Sequence, residues 1–233
     1  MKLIDYRTQI ENWPKRSDCF YNRAYSSEFS ELLKDKKMSI LEIGFGPGHF
    51  LRYLESLGFK DVHGVELDEG LFNQAKIEFL NYELINDDII NFFEKNQKKF
   101  DRIFLIDVLE HINSEKVPGL LKKICKKLNK GGICIIRTIN AESIWCANLS
   151  RYFDYTHVDS FTRFSIGPLL KDSGFNDLLI RGQRLPKGFF FVPLKIMRFF
   201  SNWLARLISL PYWGELVFKS IQTPNLIVYA KKK

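Results

Sequence analysis

The sequence predicts an α/β fold in which helices cover both faces of a doubly wound, mostly parallel sheet. Short apolar runs alternate along the chain with longer segments of helical spacing. These short runs are almost wholly apolar, which is typical of strands that are buried on both faces of a parallel sheet. With 233 residues, of which 45% are hydrophobic, the chain can bury one sizeable core, and we expect a single domain.

Five candidate strands alternate with helical segments in the first part of the chain. The candidate strands are residues 38–44, 61–67, 82–87, 101–107 and 132–138. The first helical segment carries apolar residues at three- and four-residue spacing, at Phe50, Leu51, Leu54 and Leu57. Helical segments end near glycine or asparagine, as "SLGF" and "LNKGG" do. Two further strands are predicted at 175–183 and from residue 225.

The net charge and the cysteines limit the possible function classes without choosing among them. A net charge of +8 suits an anionic partner such as a nucleic acid, a nucleotide or a membrane surface, or it serves only solubility. The four cysteines, at positions 19, 125, 134 and 146, form no CxxC pair, so we expect reduced thiols and no metal site. The start of the sequence lacks the apolar region of a signal peptide, and we expect a cytoplasmic protein.

The stretch "ILEIGFGPGHF", residues 40–50, places three glycines directly after the first strand. In this architecture ligands bind beyond the carboxyl ends of the strands, and the glycines let main-chain N–H groups approach a ligand there. The alternative is a simple reversal of the chain. The spacing is G-x-G-x-G, and His49 stands where the dinucleotide pattern G-x-G-x-x-G has its third glycine. Glu42 adds a negative charge where a pyrophosphate would lie, so the stretch favours a cationic ligand.

Acidic residues follow other strands at the same edge of the predicted sheet. Glu66 ends the second strand, where a carboxylate can accept both hydroxyls of a ribose, and Leu67 can then lie on one face of a purine. Asp87, in "NDD" after the third strand, can accept a hydrogen bond from an exocyclic amine. Each acid by itself is better explained as a loop carboxylate or a helix cap. Together they describe a ligand with an ammonium group, a ribose and an adenine.

Five stretches occur in an order and spacing that resemble the class I S-adenosylmethionine-dependent methyltransferases. They are "LEIGFGPGHFL", "GVELDEGL", "INDDI", "FDRIFLIDVLEHI" and "LNKGGICIIRTIN". The resemblance implies a Rossmann-like, seven-stranded sheet whose last strand is antiparallel, with S-adenosyl-L-methionine as the cofactor. We therefore expect one methyltransferase domain over 1–233. Its parts would be a helical segment at 1–35, the cofactor-binding core at 36–184, a helical insertion at 185–223 and the last strand at 224–233.

The resemblance implies that the first strand and its loop bind the methionyl end of the cofactor. Glu42 would hold the methionine ammonium group. The loop that contains Gly44, Phe45, Gly46 and Gly48 would approach the methionyl and ribose groups. Phe45 is bulkier than the small residue common at this position in the family, and we expect it to tighten the pocket.

The resemblance places the other acids around the nucleoside and the sulfonium. Glu66 would accept hydrogen bonds from the ribose hydroxyls, and Leu67 would pack on the adenine. Asp87 would bind the adenine amino group, with the Asp88 main chain beside it. Asp107, after the fourth strand, would lie near the sulfonium.

The four histidines are candidates for a general base, which a weakly acidic sugar hydroxyl would need. His49 and His63 are expected to be structural or solvated. His111, in "LEHI", is at the cleft by its position in the chain. It serves there either as the base or as a hydrogen-bonding residue that fixes the loop.

His157 lies in "RYFDYTHVDSFTRFSIGPLLKDSGF", residues 151–175, after the fifth strand. This stretch resembles the "D-[FY]-T-H…F-T" stretch of methyltransferases found with bacterial polysaccharide and secondary-metabolite biosynthesis. We predict that His157 is a general base or a substrate ligand and that Asp154 orients it. The alternative is a structural role in which His157 caps the helix that starts near Ser165.

The segment "PKGFFFVPLKIMRFFSNWLARLISLPYWG", residues 186–214, lies outside the part shared with the family. One predicted helix face is apolar and consists of Ile196, Phe199, Phe200, Trp203, Leu204, Leu207 and Ile208. The other carries Lys195, Arg198, Asn202 and Arg206. The segment is too charged to span a bilayer, but 189–210 suits a helix that lies on an anionic membrane. The alternatives are a helix packed on the sheet or on a second subunit.

These observations together predict an S-adenosylmethionine-dependent methyltransferase that methylates an oxygen of a sugar in a lipid-linked or nucleotide-linked glycan precursor. A quinone, a lipid or another small metabolite is an alternative acceptor. Nucleic acid is disfavoured because "DVLE" follows the fourth strand where amine-methylating enzymes of nucleic acids have an "NPPY"-type stretch. A non-catalytic partner subunit with the cofactor fold is a further alternative, but it would not need the acids at 42, 66 and 87.

Overall fold

The computed structural model describes residues 16–233, and its sheet confirms the predicted fold class. The seven strands lie in the order β3-β2-β1-β4-β5-β7-β6. Strand β7 runs antiparallel to β5 and β6, and the other neighbours are parallel. The strands are β1 (Ile40–Ile43), β2 (Val62–Glu66), β3 (Glu83–Asn86), β4 (Phe100–Ile106), β5 (Leu128–Ile139), β6 (Phe175–Gly182) and β7 (Asn225–Lys232).

Eight α-helices are present in the described part of the chain. They are α1 (Asp18–Phe29), α2 (His49–Ser56), α3 (Glu69–Glu78), α4 (Ile89–Lys95), α5 (Val117–Lys127), α6 (Ala147–Phe153), α7 (Arg163–Asp172) and α8 (Val192–Trp213). Of the helical segment predicted at 1–35, residues 1–15 lie outside the described residues, and α1 occupies part of the remainder. Thr162 caps α7 through a reciprocal hydrogen bond with Ser165, so the alternative role of His157 as the cap of this helix is wrong.

The sheet separates two hydrophobic cores, because successive side chains of a strand point to opposite faces. In β4, Ile103 and Leu105 pack in one core with side chains of α4, α5 and α7. Phe104 and Ile106, which alternate with them, pack in the other core with side chains of α1, α2 and α3. Strand β1 follows the same alternation, with Leu41 and Ile43 in the first core and Ile40 in the second. The side chain of Glu42 therefore enters the face that α1 and α2 cover.

Helix α8 and the 3-10 turn that follows it (Gly214–Lys219) are inserted between β6 and β7. Only Ala205 and Ser209 of this helix are buried. Its large apolar side chains, among them Phe199, Phe200 and Trp203, are exposed. The alternative in which the helix packs its apolar face on the sheet is therefore wrong. Within the described residues there is no helix whose length and apolar character would let it cross a bilayer.

Gly48 combines a left-handed backbone with a tight contact at the start of α2. Its φ angle is 77°, and a Cβ built on it would lie 2.6 Å from Cε2 of the buried Phe79 ring. Gly58, just beyond the end of the same helix, has a φ angle of 80° but no heavy atom within 4 Å of a built Cβ. Both positions disfavour a side chain through the backbone, and only Gly48 adds a steric conflict.

We expect Gly48→Ala to lower the free energy of unfolding by about 2–4 kcal/mol, since backbone strain and overpacking against Phe79 add together. Gly58→Ala is the matched control and should cost about 1 kcal/mol from the backbone alone. Urea unfolding of the two variants measures the difference. Equal losses would show that Phe79 does not constrain the start of α2.

Candidate active site

A cavity of about 530 Å³ opens at the carboxyl edge of the sheet, beyond the ends of β1, β2, β3 and β4. Strand β1 lies between β2 and β4, so the strand order reverses here, which is where open α/β sheets bind ligands. The volume is within the range of small-molecule sites. Its lining is Ile43, Gly44, Gly46, Val65, Glu66, Leu67, Asp68, Asp87, Asp88, Ile89, Asp107, Val108, His111, Ile112 and Thr156.

The glycine loop is tied to the end of β2 through Glu66. The N–H of Gly46 donates to Oε2 of Glu66 at 2.8 Å, and the N–H of Asp68 donates to Oε1 at 2.9 Å. Gly44 and Gly46 reach this arrangement with φ angles of 65° and 51°. Burial raises the pKa of Glu66, although these main-chain donors oppose the rise. Two main-chain amides therefore fix the Glu66 carboxylate on the cavity wall. The resemblance to the methyltransferases implies that the ribose would bind there.

The predicted adenine side consists of an exposed leucine and two aspartates. Leu67 is 71% exposed and offers an apolar surface at the cavity. Asp87 accepts a hydrogen bond from Lys95 at 2.7 Å, and this contact holds the pKa of Asp87 below its ordinary value. Asp88 accepts from the Ile90 N–H at 2.7 Å and so caps α4. All three predicted residues line the cavity, and Asp88 also has the capping role that its position alone suggests.

Two residues of the predicted cofactor loop lie outside the cavity lining. The Phe45 ring is 3% exposed and packs in the core, where a Cβ built on Gly64 would meet its Cδ1 at 2.7 Å. The expectation that Phe45 tightens the pocket is therefore wrong. Gly48 contacts Phe79, as described above, and its role is to allow the turn into α2.

Glu42 is buried beside the cavity and not in its lining. It is 2% exposed, and its Oε2 has no hydrogen-bond partner among the described residues. Burial raises the pKa of Glu42 well above its ordinary value, the nearby Glu66 adds to the rise, and Arg137 opposes it. An unsatisfied buried carboxylate can be stabilised by a cationic donor that reaches it. The contact with a methionine ammonium group stays a prediction.

Asp107 lines the cavity as predicted, but its carboxylate is paired with Arg137. Nε of Arg137 donates to Oδ1 at 2.7 Å, and Nη2 donates to Oδ2. Although burial favours the neutral guanidine, the Asp107 carboxylate holds the pKa of Arg137 above its ordinary value. Asp107 has a φ angle of 56°, an uncommon conformation for a residue other than glycine. The predicted negative charge near the sulfonium is therefore balanced by a guanidinium.

A cluster of side chains, which we call the histidine cluster, lies beside the cavity. His111 and Thr156 line the cavity, whereas Asp154 and His157 are buried and lie outside its lining. The hydroxyl of Thr156 donates to Oδ1 of Asp154 at 2.6 Å and lies 2.9 Å from Nδ1 of His111. A hydroxyl has one hydrogen, so His111 donates through Nδ1, and the lone pair of its ring is on Nε2. Nδ1 of His157 lies 2.8 Å from a main-chain carbonyl, which only accepts, so His157 also carries its lone pair on Nε2. The two rings are 4.8 Å apart.

The surroundings of this histidine cluster set its charge. Burial, with the adjacent His157, lowers the pKa of His111, so its imidazole is neutral at neutral pH. Burial would raise the pKa of Asp154, but the hydroxyl and amide of Thr156 hold it below its ordinary value. Asp154 is 0% exposed, and its Oδ2 has no partner among the described residues. His111, Asp154 and His157 each offer one ligand atom within 4.8 Å of the others, so a metal has to be tested although the sequence predicted none.

Three residues that the sequence analysis did not select position this site. Arg137 pairs with Asp107, and Thr156 joins Asp154 to His111. The main-chain carbonyl of Glu110 accepts from Val158 at 2.9 Å and so ties the loop of the histidine cluster to the end of β4. The parallel pairing of β4 with β5, which sets Ile106 opposite Arg137, is the signal that could have found Arg137.

The fold and the cleft together define the class of Rossmann-like methyltransferases. A profile of the family described as "Methyltransferase domain" matches residues 17–180, and the chain belongs to this family. No curated protein matches the chain.

Solved structures share the fold at low sequence identity. One is a SAM dependent methyltransferase from Archaeoglobus fulgidus, with a TM-score of 0.72, 19% identity, and coverage of 98% of this chain and 100% of that chain. Another is the plantazolicin methyltransferase BpumL in complex with SAH, with a TM-score of 0.64, 20% identity, and coverage of 97% and 90%. A third is phosphoethanolamine N-methyltransferase 2 of Haemonchus contortus in complex with S-adenosyl-L-methionine, with a TM-score of 0.61, 15% identity, and coverage of 100% and 60%. At these identities the likeness shows the fold.

We expect Glu66→Ala to weaken the binding of both S-adenosylmethionine and S-adenosylhomocysteine by about 1–3 kcal/mol, the usual cost of leaving buried hydrogen-bonding groups unpaired. Isothermal titration calorimetry would show this as a roughly 5- to 150-fold rise in Kd. Glu69→Ala, an exposed carboxylate three positions away, is the control and should change binding by less than about 0.5 kcal/mol. NAD should not bind. If Glu66→Ala binds both ligands as tightly as the wild type does, Glu66 is not part of the cofactor site.

Proposed function

We propose that this protein transfers a methyl group from S-adenosyl-L-methionine to an oxygen of a sugar in a lipid-linked or nucleotide-linked glycan precursor, as part of polysaccharide biosynthesis. The observation that carries the proposal is the histidine cluster, two members of which line the cavity. Thr156 and His111 line the same cavity as Glu66, and the His157 ring lies 4.8 Å from that of His111, so two possible proton acceptors lie near the space in which a cofactor would bind. A general base is what an oxygen nucleophile needs.

The residues present fit a cationic cofactor. Glu42 has an unsatisfied buried oxygen, Glu66 is fixed at the cavity wall, and Leu67 exposes an apolar surface next to it. Glu42 would hold the ammonium group, Glu66 the ribose hydroxyls, and Asp87 the adenine amino group. When bound, the cofactor supplies a methyl group that is already activated on a sulfonium. The protein's own contribution is then to align the acceptor and exclude water.

The histidine cluster moves the proton of the acceptor hydroxyl. His157 accepts this proton at Nε2, while its Nδ1 stays hydrogen-bonded to the Ser150 carbonyl. Asp154, ionised and buried nearby, stabilises the imidazolium that forms. His111 is fixed by Thr156 and Asp154, which suits it either to position the acceptor or to take the proton itself. The proposal assigns the base to His157.

Other acceptors remain alternatives that the same site would serve. A quinone, a lipid or another small metabolite would use the same cofactor residues. One fold neighbour is named as a phosphoethanolamine N-methyltransferase, so amine acceptors belong in the test panel. A non-catalytic partner subunit would bind the cofactor without turnover.

We expect His157→Gln to lower turnover by roughly 10²–10⁴-fold, as for the loss of a general base, with S-adenosylhomocysteine affinity nearly unchanged. Transfer of a labelled methyl group to a panel of nucleotide sugars, polyprenyl-phosphate sugars and amines measures this. His63→Gln is the control, because His63 is a buried histidine paired with Asp61 away from the cavity. Turnover that survives in His157→Gln and disappears in His111→Gln would move the base to His111.

The pH dependence of turnover tests for a base, and treatment with EDTA distinguishes that base from a metal ligand. Only neutral imidazole accepts a proton, so turnover should fall as the pH drops through the pKa of the base. For His111 this midpoint lies below its ordinary value of 6.5, because burial and the neighbouring His157 lower its pKa. The fall of turnover at low pH should be absent in the variant that lacks the base. Treatment of the wild type with EDTA should leave turnover unchanged. If EDTA abolishes turnover and added metal restores it, the proton-acceptor role is contradicted.

We also propose that residues 189–210 bring the protein to the inner face of a membrane as a peripheral contact. The exposed apolar side of α8 includes Phe199 and Trp203, at 68% and 56% exposure. Lys187, Lys195 and the net charge of +8 supply attraction to anionic lipids. A second subunit is the remaining alternative occupant of this side of the helix.

The intact protein should therefore sediment with anionic liposomes at low salt and be released as salt rises, because salt screens the charges. Changing Phe199 and Trp203 together to Ser should abolish sedimentation and keep cofactor binding, since the cavity lies elsewhere on the sheet. The control changes Ile77 and Leu80 to Ser, two side chains with comparable or greater exposure near the end of α3. Failure of the intact protein to bind liposomes at low salt would end the membrane proposal.

A further inference from the structure

A second cavity, which we call the apolar groove, lies between the end of α8 and the segment that follows β5. Its volume is about 470 Å³, within the range of small-molecule sites. Its apolar walls are formed by Ile144, Ala147, Phe164, Trp213, Leu216 and Val217. The cofactor cavity has none of these residues in its lining.

Three polar side chains of the groove, those of Glu142, Ser209 and Ser220, are already bonded to the protein. Both oxygens of Glu142 accept hydrogen bonds from main-chain N–H groups, at 2.6 and 3.1 Å. The hydroxyls of Ser209 and Ser220 donate to main-chain carbonyls at 2.8 and 2.7 Å. These groups have little left to offer a polar ligand, so burial of apolar surface is the main source of binding energy there.

One wall of the groove is continuous with the exposed apolar surface of α8. Trp213 and Leu216 line the groove and are still 69% and 53% exposed. The opposite wall leads to the histidine cluster, because α6 begins at Ala147 in the groove and is followed directly by Asp154. A helix of this length spans about 10 Å. One end of α6 therefore lies in the groove, and its other end lies next to the histidine cluster.

Basic side chains lie at and just before the start of α8, at the opposite end of that helix from the apolar groove. Arg184, Lys187, Lys195 and Arg198 line a cleft of about 470 Å³. Neither lysine forms a salt bridge with another described residue. Arg198 lies about 16 Å along α8 from Ser209, at the helix rise of ~1.5 Å per residue. An anionic lipid surface complements this combination of basic cleft and exposed apolar helix.

We infer that the apolar groove binds the hydrocarbon chain of a lipid-linked acceptor. This inference rests on the proposed methyl transfer and selects the lipid-linked class of acceptor over the nucleotide-linked class. The hydrocarbon chain passes from the bilayer beneath α8 into the groove, and the polar end of the acceptor extends along α6 to the histidine cluster.

The test uses 11-(dansylamino)undecanoic acid, a fluorescent hydrocarbon probe, below the concentration at which it forms micelles. The intact protein should bind it saturably, with increased dansyl emission. Ala147→Trp fills the groove and should raise Kd by about tenfold or more, because hydrocarbon contacts are lost in proportion to the area excluded. Leu149→Trp, on the same helix but outside the groove lining, should leave Kd within about twofold of the wild type. Equal affinity of both variants would overturn the inference.

A second pair of variants protects the test against misfolding of Ala147→Trp. Leu216→Asp places a charge in the groove and should also weaken the probe by about tenfold or more. Phe218→Asp is its control, with 57% exposure and no place in the lining. Sedimentation velocity in plain buffer tests a second copy of the chain as the occupant. A wild-type dimer that Leu216→Asp converts to a monomer would overturn the lipid assignment.

Failure of this inference is distinguishable from failure of the proposed function. S-adenosylhomocysteine affinity, measured in the same variants, reports on the cofactor cavity alone and should not change. If the wild type binds the hydrocarbon probe but no cofactor, the methyl-transfer proposal fails. If methyl transfer proceeds on nucleotide sugars and Ala147→Trp has no effect on probe binding, the groove assignment fails.

Discussion

The burial of Glu42 is the constraint on which the carboxyl edge of this sheet depends. Alternation along β1 turns this side chain into the core that α1 and α2 cover, where it is 2% exposed and one of its oxygens has no partner among the described residues. A buried carboxylate without a partner costs free energy, and it favours either protonation or a cation. The nearest strong cation, Arg137, is bound to Asp107 through two hydrogen bonds. The edge therefore keeps a buried acid beside the cavity that either a proton or a bound cation would stabilise.

A buried acid of this kind suits a cofactor whose sulfur is positively charged before methyl transfer and neutral afterwards. In the proposed site, Glu42 and Glu66 would favour the cationic form when they are ionised, because a nearby negative charge stabilises a positive one more strongly in a dry site than in water. Loss of the sulfonium charge removes part of that attraction and helps the product to leave. The Asp107–Arg137 pair moderates the same effect, since its guanidinium offsets one carboxylate at the cavity wall. In the proposed site, the balance between cofactor retention and product release would thus depend on which acids are paired.

Much of the fold and part of the site could be predicted from the sequence. All seven strands overlap their predicted ranges, although β5 begins at Leu128, four residues earlier than predicted. Central strands such as β1 and β4 were predictable because a strand buried on both faces is a short apolar run. Glu66 and Asp87 were found because each stands where a strand ends. Arg137 was missed because its partner Asp107 directly follows the neighbouring strand β4, and only the pairing register brings the two together. The direction of the Phe45 ring depends on the space left by Gly64 on β2, and no local pattern contains that information. The sequence predicted the apolar face of α8, but it did not predict which partner covers that face.

The most direct measurement is the stability of Glu42→Gln without and with cofactor as a function of pH. The pKa of Glu42 is raised above its ordinary value of 4.5 in the folded protein, so ionisation of the unfolded chain favours unfolding as the pH rises above that value. Without ligand, the variant should be more stable than the wild type at pH 8, by about 1–3 kcal/mol, and the gap should close as the pH approaches 4.5. Saturating S-adenosylmethionine should then stabilise the wild type more than the variant. A variant that is less stable than the wild type at pH 8 without ligand, or that gains as much from the cofactor, would contradict the account.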